Sequence, residues 1–326
     1  MIRLIIAITG ALILDALIGD PTFSCHPVRL LGNLASSLER LRSNVCKPSH
    51  LCLIGAVVWG VICIVAFGVA WLLSYTAGCI HPFCQNIADI LVVWASIAPS
   101  DLARHAGKVR RALKNEVNAE PKKARKAVSM IVGRDVSKLD ATAIARACVE
   151  SVAESSIDAA AAPLFWAIFL FPWIGPAGAF LYRAINTMDS MFGYENESYL
   201  HFGFVSARAD DLANLIPARL SSLIACLVAP CVGGSASEAL RAFMRYRLAH
   251  KSPNAGHPEA TYAGALGIKL GGPNFYVGGL VNKPWIYPEG GNARADDIQK
   301  AVYLMYIQTV FSVALFLAPV LIWFLK

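Results

Sequence analysis

Charge is scarce in this 326-residue chain: Asp, Glu, Lys and Arg make up 16% of it, against 56% hydrophobic residues. With a mean hydropathy of +0.52, that scarcity excludes an ordinary soluble domain and a disordered chain alike. The nine cysteines contain no C-x-x-C pair, and Cys52, Cys63, Cys226 and Cys231 lie inside apolar runs. A disulfide framework is therefore unsupported, and these thiols read as small packing residues. The seven histidines are scattered without ligand spacing, which leaves a histidine metal centre without support. No G-x-x-x-x-G-K-[ST] motif occurs, so no P-loop is expected. Nucleic-acid binding is disfavoured, because the basic residues flank apolar segments and lack an aromatic-lined surface.

What remains is membrane character. Residues 51–77 and 301–325 carry no charge, and each exceeds the roughly 20 residues needed to cross a bilayer as a helix. Further candidate spans are 4–18, 86–100, 157–182 and 212–234, each interrupted by a charge or by prolines. Segment 4–18 starts like a signal peptide, but Asp15 breaks the apolar run and no small-residue cleavage site follows, so it reads as retained. The expected fold is an all-α polytopic integral membrane protein, one domain over 1–326 with four to six transmembrane or re-entrant helical segments. Pro163, Pro172 and Pro176 in one segment, and Pro217, Arg219 and Pro230 in another, leave open whether those two cross fully or turn back.

The net charge of +7 is unevenly placed. Residues 101–156 hold 12 Lys/Arg against 7 acids, 235–300 hold 8 against 5, and 19–50 hold 4 against 2. Segment 183–211 reverses the balance, with 2 against 5. The positive-inside rule puts the basic loops in the cytoplasm. That implies the cytoplasmic (inner) membrane, with polar motifs on its cytoplasmic face.

Those polar stretches do not read as linker. "GDPTFSCHPVRLLGNL" (19–34) carries turn chemistry in Gly19-Asp20-Pro21 and His26-Pro27. "SMIVGRDVSKLD" (129–140) precedes a helix for which Asp140 or Thr142 is the expected N-cap. That helix places Glu150, Glu154 and Asp158 four residues apart, on one side at α-helical pitch, where like charges repel. Segment 182–220 gathers Asn186, Asp189, Arg208, Asp210, Asp211 and Asn214, while 250–279 is glycine-rich and holds Asn254, Lys269 and Asn274. Acids beside a bilayer are costly and point to a site, with an ion pathway as one reading. Carboxylates with amide side chains also suit Mg²⁺ and, through it, phosphate. A glycine loop with a lysine suits phosphate as well, or is simply a turn needing positive φ.

The stretches "LDALIGDP…HPVRLLG", "IVGRD", "VESVAESSIDAAAAPLFW", "AINTMDSMFGY", "SARADDLANLIPARL", "SPNAG.PE…AGALGIKLGGPN.Y" and "DDI" together resemble the CobD/CbiB family of cobalamin biosynthesis, in order from about residue 10 to 310. The resemblance implies a membrane ligase, an adenosylcobinamide-phosphate synthase. Such an enzyme uses ATP and Mg²⁺ to join the propionate of adenosylcobyric acid to (R)-1-amino-2-propanol or its O-phosphate, with no bound prosthetic group. It also implies membrane lipid, and other late membrane enzymes of the pathway, as partners.

Amide formation of this kind requires activation of the carboxylate, donors for a developing oxyanion, and a base for the attacking ammonium. By residue type, Glu150, Glu154, Asp158, Asp210 and Asp211 are the catalytic candidates. Asp189, Glu154 and Asp210 are the candidate Mg²⁺ ligands. Arg134, Asn186, Arg208, Asn214, Asn254, Lys269 and Asn274 are the candidate substrate and phosphate contacts. The bland alternative is a set of structural salt bridges among the same side chains. On this reading the two acidic groups approach one another. The functional alternative is a non-catalytic membrane transporter or regulator sharing the fold; against a proton relay, most acids sit in polar loops and only Asp15, Asp89 and Asp158 fall inside candidate spans.

Overall fold

The computed structural model of the protein describes residues 1–20, 26–42, 47–116, 120–194, 196–276 and 279–325, so Pro21 of the 19–34 turn lies outside the described residues. The described chain is almost wholly helical. In order it forms α1 (Ile2–Ile18), α2 (Pro27–Glu39), α3 (Pro48–Ile80), α4 (Pro82–Trp94), α5 (Pro99–Asn115), α6 (Lys122–Val128), α7 (Ala141–Ser156) and α8 (Ala162–Ile174). There follow α9 (Ala177–Phe192), α10 (Phe204–Val228), α11 (Ala236–Tyr246), α12 (Gly256–Leu266) and α13 (Ala295–Leu325). Between α12 and α13 lie four short strands: β1 (Leu270–Gly271), β2 (Asn274–Tyr276), β3 (Gly279–Val281) and β4 (Trp285–Ile286). Strand β1 pairs antiparallel with β4, and β2 with β3.

The helix starts follow local chemistry. Pro27, Pro48, Pro82 and Pro99 open α2 to α5, at the position where a missing N–H costs nothing. Asp140 caps α7, its side chain accepting the Ala143 N–H at 2.7 Å.

Among the described residues, five helical stretches are long and apolar enough to cross a membrane: Pro48–Ile80, Pro82–Asn115, Ala141–Ile174, Phe204–Val232 and Ala295–Trp323. The protein is a multi-pass, all-α membrane protein. Several expected boundaries shift. The 4–18 segment is helical as α1, Ile2–Ile18. The 157–182 segment is divided: its first part continues the acidic helix as far as Ile174, and Gly175 (φ +62°) with Pro176 then turns the chain into α9. The 212–234 segment begins earlier, at Phe204, and runs through Pro217. Within the stretch beginning at Pro82, residues 95–98 interrupt the helix and its basic residues Arg104, Lys108, Arg110, Arg111 and Lys114 all lie in α5, so α4 is its apolar part.

The chain divides into two compact units. The first comprises 1–98, 162–214 and 315–326. Here one stripe of α3 (Val58, Ile62, Ala66, Ala70) is buried with Ala177, Ala184 and Met188 of α9 and with Phe202. A Cβ on Gly55 would lie 1.9 Å from the Phe202 carbonyl oxygen, so this approach requires glycine. The rest of α3 presents Leu53, Val57, Ile64 and Leu72 outward, as a lipid-facing helix does. The buried Asp89 pairs with Arg3 and accepts the Ser74 hydroxyl at 2.6 Å, so this acid is neutralised within its helix bundle.

The second unit comprises 99–161 and 215–314. Its core joins α5 (Leu102, Ala106, Val109), α7 (Ile144, Cys148, Val152), α12 (Tyr262, Ala263) and the strand residues Leu270 and Ile286. Seven cysteines are free among the described residues, three of them buried, in keeping with packing roles.

Candidate active site

In the second unit the sequence places an arginine and a glycine turn against the acidic helix. Arg134 is almost fully buried and pairs with Glu150 of α7, while its other terminal nitrogen donates to Asn274 Oδ1 at 2.6 Å. Glu150 Oε1 accepts the backbone N–H of Gly271 at 2.7 Å, and Arg146, one turn earlier on α7, lies 3.8 Å from the same oxygen. Like-charge repulsion along α7 is thus answered at Glu150 by two guanidinium groups and a backbone amide. Both of its oxygens are engaged, which suits Glu150 to fixing Arg134 rather than to binding a metal.

The row of three carboxylates crosses a change of helical pitch at its end. Glu150 and Glu154 lie on α7, and Asp158 lies in a π-turn formed by Ile157–Ala161. Such turns recur at functional sites because they re-aim single side chains.

The glycine loop is a turn with a task. Gly271 and Gly272 have φ +72° and +75°. A Cβ at these positions would meet the Pro284 carbonyl at 2.5 Å and the Trp285 ring at 2.6 Å. Their amides are committed to Glu150 Oε1 and, at 3.1 Å, to the Pro284 carbonyl. Half-buried Lys269 places its ammonium 5.2 Å from the Trp285 ring centre, and Arg146 lies 4.9 Å from the same ring.

Next to this cluster is a cavity of about 20 Å³, lined by Glu150, His250, Glu259, Gly271, Asn274 and Lys283 among others. It has room for about one water. Three of these residues were not expected from sequence: Glu259, His250 and Lys283. Glu259 is buried on α12, and burial, reinforced by the negative charges of Glu154 and Glu150, raises its pKa well above the carboxylate range. Burial also pushes the His250 imidazole down to about 4, helped by the Lys283 charge. The site therefore offers fixed cations, a neutral imidazole and a carboxyl group whose pKa burial raises. Asn254 lies elsewhere in this unit, accepting from Arg219 at 3.1 Å.

The other expected residues belong to the first unit. Asp210 accepts from Asn214 Nδ2 at 2.9 Å and from Asn186 Nδ2 at 3.4 Å, and Asn214 Oδ1 accepts the Tyr182 hydroxyl at 2.9 Å. Both amides thus turn nitrogen, not oxygen, toward Asp210. Asp189 folds over Gly193, where a Cβ would lie 1.9 Å from its Oδ1. Asp211 pairs at 3.5 Å with the exposed Arg208.

A family model, CobD/Cbib protein, matches residues 8–305. The chain belongs to the CobD/CbiB family. It is 42% identical over 308 residues to the cobalamin biosynthesis protein CobD of Klebsiella pneumoniae, covering 94% of each chain. It is 43% identical over 309 residues to CbiB of Salmonella typhi, covering 94% of this chain and 95% of that one. CbiB of Salmonella choleraesuis is 42% identical over 316 residues, 97% of each. No solved structure matches. Membership places this CobD/CbiB protein in cobalamin biosynthesis.

The family's resemblance implies ATP with Mg²⁺, and the donor set can be tested for fit. Among the described residues no three His, Cys, Asp or Glu side chains are arranged to hold a metal ion. Mg²⁺ is commonly held by one or two carboxylates together with substrate phosphates rather than by an all-protein cage. Exposed Glu154 and half-buried Asp158 fit that role, whereas both oxygens of Asp210 already accept amide N–H groups.

Proposed function

We propose that this protein is an acid–amine ligase of the adenosylcobinamide-phosphate synthase type. It joins the propionate of adenosylcobyric acid to aminopropanol or its O-phosphate at the cytoplasmic face of the inner membrane. The observation that supports this reading is the convergence of Lys283, His250 and the buried Glu259 at one small cavity together with Glu150, the ion-pair partner of Arg134.

Nucleotide-bound Mg²⁺, when present, supplies activation of the propionate, and Glu154 and Asp158 would hold it. Arg134, fixed in direction by Glu150 and Asn274, presents a buried positive charge that stabilises negative charge developing nearby. Lys283 is the cation that lines the cavity itself. Glu259, whose carboxyl is poised by burial, gives up and takes back a proton more readily at neutral pH than an exposed glutamate would. It is the group we assign to deprotonating the attacking ammonium, with the neutral His250 beside it.

The test is direct. Purified protein is incubated with adenosylcobyric acid, ATP, Mg²⁺ and aminopropanol O-phosphate, and the corrinoid is weighed by mass spectrometry. A mass gain equal to the amine minus water, dependent on ATP, is the expected result. An unchanged corrinoid under every combination of amine and nucleotide overturns the reading.

A further inference from the structure

Helix α11 carries two apolar faces, and among the described residues only one of them is buried against protein. Ala239, Ala242 and Phe243 are buried in the core of the second unit. This contact is close: a Cβ on Gly264 of α12 would lie 2.6 Å from the Ala242 Cβ and 2.4 Å from the Glu238 carbonyl. Phe243 also meets the His257 ring edge-on at 5.6 Å. The rotation of α11 about its axis is therefore fixed.

That rotation turns Leu240, Met244 and Leu248 outward, with 45%, 58% and 74% of their surface exposed. Spaced by four, they form one stripe along the helix and the turn that follows it. Arg241, Arg245, Arg247 and Lys251 accompany the stripe, four basic residues between 236 and 251 against the single acid Glu238. Arg241 and Arg245 keep 65% and 68% of their side chains exposed while touching Glu238 and Glu289.

Chain connectivity decides what lies beside this stripe. The membrane-crossing stretch Phe204–Val232 ends with Leu223 and Leu227 exposed, and α11 starts after residues 233–235. Three residues reach at most about 10 Å, so α11 begins within the headgroup region that bounds the span. An apolar stripe flanked by arginines, tethered at that depth, matches the chemistry of an interfacial helix. A surface of this character exposed to water would instead be an association liability.

We propose that α11 lies in the membrane interface, with Leu240, Met244 and Leu248 in the acyl boundary and its basic residues on anionic lipid headgroups. It would thereby hold the second unit, and with it the α12 residue Glu259, at a set depth.

Photo-crosslinking of the full chain in lipid nanodiscs tests this. Benzoylphenylalanine replaces Met244 and, in a separate variant, Leu248, both exposed enough to leave folding intact. In nanodiscs containing phosphatidylglycerol, illumination is expected to give protein–lipid adducts, identified by intact mass. A cross-linked dimer, which would make a second copy the occupant, or an absence of lipid adduct at both positions overturns the proposal. Adding Arg241→Gln and Arg245→Gln should lower the phosphatidylglycerol adduct about fivefold or more and leave the phosphatidylcholine adduct unchanged. Equal yields in both lipids overturn the headgroup assignment. None of these readouts depends on turnover, so they stand or fall apart from the ligase reading.

Discussion

Glu150 accepts the backbone N–H of Gly271 at 2.7 Å across 121 positions of sequence, and its second carboxylate oxygen pairs with Arg134. One side chain thus ties the acidic helix, the glycine turn and the buried arginine together. Removing its charge leaves Arg134, 9% exposed, without its counter-ion.

Glu150→Gln is therefore expected to destabilise the protein by about 3 to 5 kcal/mol, as breaking one partner of a buried pair does. Thermal unfolding in detergent measures this. Combining it with Arg134→Met should recover part of the stability, because both charges then leave together. A double variant as unstable as the sum of the singles would show that the pair is not the coupling unit. Turnover should not recover in the double variant, since Arg134 is also the cation assigned to the developing oxyanion.

Gly271→Ala tests the turn itself. The residue sits at φ +72°, and a methyl group there meets the Pro284 carbonyl at 2.5 Å. The left-handed conformation alone costs a non-glycine residue about 1 to 2 kcal/mol, and the clash adds to it. The expected loss exceeds that figure, read from the midpoint of denaturation. Gly267→Ala is the control: φ is +66° but the space around it is open, so its loss should stay near the conformational cost. Equal losses at both positions would discount the Pro284 contact.

His257 links stability to acidity. Burial holds its imidazole down at about 4, against an ordinary value of 6.5. A base with a depressed folded pKa contributes stability that is fully present above 6.5 and is lost as pH falls through 4. His250 behaves alike, with a folded pKa also of about 4. The melting temperature should fall across that window. His257→Phe, which keeps a ring against Phe243, should flatten the fall by removing one of the two titrations. An identical slope in the variant would assign the acid loss elsewhere.

The spans were legible because an uncharged stretch as long as 51–77 or 301–325 has few other uses, and no pairing of distant residues is needed to read it. The cap at Asp140 was legible for the same local reason. The π-turn was not: "IDAAA" carries no signal that separates a wide turn from an ordinary one, and register is settled by packing on both sides of it. Glu259 was hidden by its position in the first turn of α12, where an acid is ordinary because it favours the helix dipole. Its role comes from burial, which depends on α7 and the β1–β4 pair arriving from elsewhere in the chain. The pairing of Arg134 with Glu150 was within reach only as the bland alternative, and its link to Gly271 spans a separation that no local pattern encodes. Sequence proximity on α9 and α10 put Asn186 and Asn214 beside Asp210. Yet the amides of Asn186 and Asn214 face Asp210 with nitrogen, a choice fixed by Tyr182 holding the Asn214 oxygen.

Glu259→Gln separates proton transfer from architecture. Glutamine has nearly the shape of a protonated glutamate, so the fold should persist at neutral pH. The wild-type group has a folded pKa raised above its ordinary 4.5 by burial and by the charges of Glu154 and Glu150. An acid of that kind contributes stability fully present below 4.5 and lost as pH rises from there through the folded pKa. Glutamine does not ionise, so the variant should lose less stability than wild type on the alkaline side. That gain in alkaline stability is the sign that the folded protein raises the pKa of Glu259. Turnover should move the other way, falling about 10²-fold or more, the usual contribution of a positioned general base. The pH–rate profile of the residual activity should lose its limb from this group. Unchanged turnover with altered alkaline stability would keep the buried proton and remove Glu259 from the chemistry. Unchanged alkaline stability would instead place its ionised form in the native protein.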